Sequence, residues 1–147
     1  MNEPDRFAAP ESNLIDAVRR AVAALNHGDV DTYAAAFAPS CARWMSGADE
    51  PVPAVDVANT LRALHAAFTD FRLDEELLVA SEPYVIARWR TTGRHTTEFA
   101  GLAPTGRSVE VRTCEIYQLE AGLVVATWSY GDPADMYQQL TAEEAAT

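Results

Sequence analysis

The main change in the spacing of apolar residues along the chain falls near Phe68. Before it they recur every three or four positions, and after it they alternate, the periods of helix and strand respectively. Leu14, Ile15, Val18, Val22 and Leu25 share one side of a first helix that Ser12 can cap and Gly28 can end. A short second helix is predicted from Asp31, with Tyr33 and Phe37 on one face and Pro39 as its stop. Cys41 to Met45 reads as a short strand, and residues 46–53, with a glycine and two prolines, as a loop. A third helix is predicted from about Val55, with Val57, Leu61, Leu64 and Phe68 on one side. Four strands follow, at about 70–80, 84–97, 107–119 and 122–130. Glu82-Pro83, Pro104-Thr105-Gly106 and Ala121-Gly122 serve as their connections. Met136, Tyr137 and Leu140 suggest a last short helix after Pro133.

Helices followed by a run of strands, without βαβ alternation, predict an α+β fold with an antiparallel sheet. The length of 147 residues fits one domain. Residues 12–140 are expected to form it, with 1–11 and 141–147 as flexible tails. No apolar run reaches the roughly 18 residues that span a bilayer, and the polar first ten residues do not read as a secretory signal. A cytoplasmic protein with no membrane partner is expected. The net charge is −11, and all eleven basic residues are arginine. Such a field repels phosphate backbones, so nucleic acid is not an expected partner. Cys41 and Cys114 have neither disulfide-framework nor metal-site spacing and read as two buried thiols. No pair of histidines has ligand spacing and no glycine-rich loop suggests a nucleotide, so neither metal nor cofactor is inferred.

The candidate chemistry comes from the strands, where alternate residues share a face. Phe71, Leu73, Glu75 and Leu77 form the apolar face of the first long strand. An unpaired Glu75 there would be desolvated, with a raised pKa, and available as a general acid. The alternative is a register shift or bulge that turns Asp74-Glu75-Glu76 out to solvent. On the third long strand Val109, Val111, Thr113, Glu115 and Tyr117 share a face. Glu75 and Glu115 could then meet across a pocket and split their pKa values into an acid and a base. The alternative for Glu115 is an ion pair with an arginine such as Arg88 or Arg90. Asp49, in the loop after the short strand, is a third candidate carboxylate, set against the ordinary role of Asp as a turn former. Trp44, Trp89, Trp128, Tyr117 and Tyr130 are candidate walls of a large apolar cavity, or plain core. Phe71, Thr113 and Ser129 complete the candidate substrate contacts. His27, His65 and His95 read as structural or solvated.

Several segments carry a family resemblance: Leu25-Asn26-His27-Gly28-Asp29, Phe37-Ala38-Pro39, Arg88-Trp89, the stretch from Gly93 to Arg107, and Gln139-Leu140. With the order of elements, they resemble the SnoaL-like polyketide cyclases, of the cone-shaped fold shared with ketosteroid isomerases, limonene epoxide hydrolases and nuclear transport factor. The resemblance implies three N-terminal helices on a curved, mostly antiparallel sheet enclosing one pocket, a short C-terminal helix, and a homodimer formed through the outer face of the sheet. The aldol-type cyclases of this group use an aspartate on the final strand and a histidine on the preceding one. Ser129 and Glu115 stand in those places here, and a serine hydroxyl cannot accept a proton near neutral pH as a carboxylate does. The resemblance therefore points to the epoxide-opening members, with Glu75 and Glu115 or Asp49 as paired acids. The expected function is a cofactor-independent acid/base cyclase for a small apolar, polyketide-like substrate. The alternatives are an epoxide hydrolase or isomerase, or a non-catalytic binding protein that has kept the pocket.

Overall fold

The computed structural model describes residues 10–143. Of the tails expected at 1–11 and 141–147, residues 1–9 and 144–147 lie outside the described residues, whereas Pro10 and Glu11 belong to the first helix and Thr141 to the last. Helix α1 spans Pro10–Asn26, α2 Val30–Ala35 and α3 Ala54–Ala67. Strand β1 (Phe37–Met45) lies between α2 and α3, and β2 (Phe68–Ser81), β3 (Tyr84–His95), β4 (Ser108–Glu120) and β5 (Leu123–Tyr130) follow. Helix α4 (Asp135–Thr141) is the last element among the described residues. The strands form one sheet in the order β1-β5-β4-β3-β2. All pairs are antiparallel except β1 with β5. The α+β class and the mostly antiparallel sheet are as expected. Among the described residues no helix is long and apolar enough to cross a membrane.

Several boundaries differ from the sequence reading, and Phe68, expected on the third helix, opens β2. The first helix begins at Pro10 rather than Ser12. The second ends at Ala35, so Phe37 and Pro39 belong to β1. A proline cannot donate to a ladder, but β1 is an edge strand and its register shifts between Phe37 and Ala42, where a missing N–H is tolerated.

The motifs that carried the resemblance build the frame. Leu25 is buried at the end of α1, and Asn26 exchanges two hydrogen bonds with the backbone of Leu73, at 2.9 and 2.8 Å. This ties α1 to β2. Gly28 turns the chain at φ +79°, a left-handed conformation that suits glycine. Asp29 then caps α2, its carboxylate accepting from the Thr32 N–H at 3.0 Å. Downstream, His95 Nδ1 accepts from the Thr105 N–H at 3.2 Å, which places a neutral ring's proton on Nε2. The histidine thus closes the long β3–β4 connection. Gln139 of α4 clasps the backbone of Glu110 from both sides, at 2.9 and 2.8 Å.

The helices cover one face of the sheet. Val85, Ala87, Trp89, Tyr117, Leu119 and Val124 face α1 and α2 in one buried cluster. Phe68, Phe71, Val109 and Leu140 form a second, with α4. The other face of the sheet is open, and Trp44, Leu77, Val79, Tyr84 and Ile86 are exposed. Near them a ladder of arginines and acids crosses β2, β3 and β4, where Arg90 pairs with Glu110 and Arg112 reaches both Glu76 and Glu110.

Candidate active site

Strand β4 delivers the one carboxylate buried among the described residues. Its burial alternates as expected. Glu115 and Tyr117 therefore point under the helices. Ser129 and Thr127 of β5 stand beside them in register, and Arg43 of β1 stands beside Thr127. Arg43 Nη2 lies 3.4 Å from Glu115 Oε1, with side-chain exposures of 16% and 6% respectively. Trp89 Nε1–H donates to the Tyr117 hydroxyl at 2.9 Å, and that hydroxyl donates to Glu115 Oε2 at 3.1 Å. The network is incomplete. Arg43 Nε and Nη1, Glu115 Oε1 and Thr127 Oγ1 are buried without a hydrogen-bond partner.

The electrostatics follow from exclusion of water. Burial works against the charge on Arg43, but Glu115, then Tyr33 and Tyr117, outweigh it and raise its pKa. Arg43 is a fixed cation. Burial pushes the Tyr33 phenol up to about 12, and burial followed by the Glu115 charge raises Tyr117 well above the ordinary value. Both hydroxyls keep their protons at neutral pH. Tyr33, Phe37, Cys41, Arg43, Val57 and Ala58 line a partly enclosed recess of about 30 Å³, room for on the order of two water molecules.

The other predicted carboxylates are elsewhere. Glu75 lies on the inner side of β2 opposite Trp89, but β2 is an edge strand and α1 lays Arg19 over it. Arg19 Nη2 donates to Glu75 Oε1 at 2.7 Å and Nε to Oε2 at 3.1 Å, with side-chain exposures of 52% and 33%. The hydrogen bond from Arg19 holds the Glu75 pKa below its ordinary value. The expected protonated acid is a charged, solvent-reached carboxylate. A bulge between Glu75 and Leu77 then reverses the alternation, so Leu77 is exposed and Leu78 half-buried. Glu75 and Glu115 are separated by β3, whose Trp89 is buried, and the expected acid pair is not formed. Asp49 is an exposed loop residue.

The expected aromatic mould is also divided. Trp89 and Tyr117 belong to the buried network. Trp44 and Trp128 are register partners, one residue out of phase with Arg43 and Thr127, which puts them on the open face. Tyr84 lies 6.5 Å from Trp128 there, and Tyr130 is exposed. Phe71 is core of the second cluster, its ring 4.9 Å from that of His65. Thr113 and Ser129 line a separate recess of about 80 Å³ with Ser46 and Asp132. Cys114, expected buried, is exposed on the open face. Arg43, the partner of Glu115, was missed. Its signal was the alternation Cys41-Ala42-Arg43, since a buried Cys41 puts Arg43 on the same side.

A model of the SnoaL-like polyketide cyclase family matches residues 15–140. The chain belongs to that family. Among curated proteins none matches its sequence significantly. Solved structures extend the likeness of fold. AclR from Streptomyces galilaeus, described as "a putative hydroxylase", superposes with a TM-score of 0.82 at 23% identity, over 93% of this chain and 86% of that one. IdmH from Streptomyces antibioticus, "a putative polyketide cyclase", gives 0.73 at 25% identity over 86% and 97%. An LEH-like epoxide hydrolase of M. tuberculosis gives 0.67 at 19% over 88% and 90%. These names span different reactions on one SnoaL-like architecture, so the residues of the site, rather than the fold, must carry the chemistry.

Proposed function

We propose that this SnoaL-like protein is a cofactor-independent acid/base enzyme of natural-product metabolism that closes a ring on a small, apolar, polyketide-like substrate, with Glu115 moving the proton. The observation that carries this reading is the burial of Glu115 against Arg43. A carboxylate excluded from water can accept a proton from a bound substrate, and a guanidinium beside it can stabilise the oxyanion that develops as the proton leaves. Tyr117 orients Glu115 through its hydrogen bond. In ring closure by epoxide opening, Glu115 takes the proton of the attacking hydroxyl as its oxygen bonds to the oxirane carbon, the oxirane carbon–oxygen bond breaks, Arg43 hydrogen-bonds the alkoxide that forms, and the proton passes from Glu115 to that alkoxide. Incorporation of oxygen from labelled water separates hydrolysis from cyclisation.

Glu115→Gln leaves Arg43 as an unpaired buried cation and should lower the urea midpoint; where circular dichroism shows it still folded, the expected result is a loss of turnover of about 100-fold or more, the usual worth of general acid/base catalysis. Full turnover in that variant overturns the assignment. A second reading, a binding protein without catalysis, draws support from the arginine that neutralises Glu115 and from the small recess beside them. Saturable ligand binding by the wild type with no conversion would decide for it.

A cytoplasmic homodimer completes the proposal. Cys41 and Cys114 are both free thiols, which fits a reducing compartment. The open sheet face exposes Trp44, Tyr84 and Ile86 together, which fits burial against a second copy. Sedimentation should give twice the chain mass, and Ile86→Arg should reduce it to one.

A further inference from the structure

Trp89 carries a polar atom that its place in the core does not require. The residue is 2% exposed, and an indole N–H buried without an acceptor would cost stability. A position that needs bulk alone is filled by an apolar ring. Along β3 and β4, Val85, Ala87 and Trp89 stand opposite Tyr117, Glu115 and Thr113 in that order. The indole and the phenol therefore lean towards each other across the Ala87–Glu115 level, where only a methyl group faces the carboxylate, and meet there at 2.9 Å.

The direction of this chain of hydrogen bonds is fixed. An indole N–H donates and cannot accept, so the Tyr117 hydroxyl accepts from Trp89 and gives its single proton to Glu115 Oε2 at 3.1 Å. That oxygen is thereby occupied by a donor. Oε1 has no hydrogen-bond partner and lies 3.4 Å from Arg43 Nη2. A proton delivered to Glu115 meets another proton at Oε2 and a free lone pair at Oε1.

We propose that Trp89 is a positioning residue for Glu115: acting through Tyr117, it fixes the orientation of the carboxylate and makes Oε1 the oxygen that takes the proton. The inference deepens the function proposed above and rests on Glu115 being the base there. Without the indole donor, the phenol is free to turn its O–H away from Oε2, and the polarisation that strengthens the second bond of the chain is lost.

The test is isotope-edited infrared spectroscopy of protein labelled in its glutamate carboxyl groups, with the spectrum of Arg43→Gln/Glu115→Gln subtracted so that the Glu115 band remains. This double variant removes both buried charges together, so no lone ion threatens its fold. Trp89 is replaced by benzothienylalanine, which keeps the fused rings and has sulfur in place of the N–H, and Trp89→Phe serves as a second variant. A donor on one carboxylate oxygen separates the antisymmetric and symmetric stretches. Both replacements should narrow that separation part of the way towards its value in Tyr117→Phe. In the Tyr117→Phe background they should leave the band in place, because no hydroxyl remains to act through. A band unmoved by the replacement in folded protein overturns the proposal, and so does an equal movement with and without the Tyr117 hydroxyl, which packing alone would give. The spectrum needs no substrate, so the two readings fail separately: full turnover in Glu115→Gln overturns the base, whereas an unmoved band overturns the relay and leaves the base assignment standing.

Discussion

Arg19–Glu75 and Arg43–Glu115 are the same pair of functional groups placed in two solvents. Both glutamates sit on the helix-covered side of the sheet. Glu75 is on an edge strand, and its partner reaches across from the exposed side of α1 with close contacts down to 2.7 Å. Glu115 is on the central strand β4, and its partner meets it loosely at 3.4 Å with nitrogens left over. The exposed pair is complete and chemically quiet, since water screens both charges. The buried pair is incomplete, and each charge depends on the other or on a ligand. Which strand carries a residue thus matters as much as which face it is on.

The largest effect that separates the two pairs is on stability. Arg43→Met leaves Glu115 as a lone buried charge and should destabilise the fold by about 3–5 kcal/mol, read as a lower urea midpoint. Arg19→Met should move that midpoint little. Tyr117→Phe comes next. It leaves the Trp89 N–H without its acceptor and Glu115 without its donor, a cost of about 1–3 kcal/mol by the same measurement, and turnover should fall less than in Glu115→Gln.

The smallest effect is a pH dependence. The Glu75 pKa is lower folded than unfolded. Its contribution to stability is therefore full above the ordinary carboxylate pKa and is lost as pH falls through the folded value. Wild type and Glu75→Gln should differ most near neutral pH and converge in acid, and 1 M salt should shrink the difference. A difference that grows as the pH falls would contradict the sign.

Most of the frame was legible because local chemistry and periodicity agreed. The alternation of β4 placed Glu115 and Tyr117 correctly, since that strand keeps its phase from Val109 to Leu119. The motifs from Leu25 to Asp29 and at Gln139 turned out to be caps and clasps with short-range signatures. The site was less legible for two reasons. On β2 a bulge after Glu75 breaks the phase, and no pattern shows that an α1 arginine will cover the edge. Around Arg43 the difficulty was long range. The pair joins β1 to β4 across β5, 72 residues apart in sequence, and a parallel pairing leaves no hairpin signal. Trp44 looked like the pocket residue because it is large, yet its neighbour Arg43 faces inward.

The most direct measurement is turnover of Glu115→Gln and Glu75→Gln side by side, on one ring-closing substrate with both folds checked. The account predicts a loss of about 100-fold or more in Glu115→Gln and a rate within a few-fold of wild type in Glu75→Gln. An inactive Glu75→Gln beside an active Glu115→Gln would contradict it, and would move the chemistry from the buried centre to the edge of the sheet.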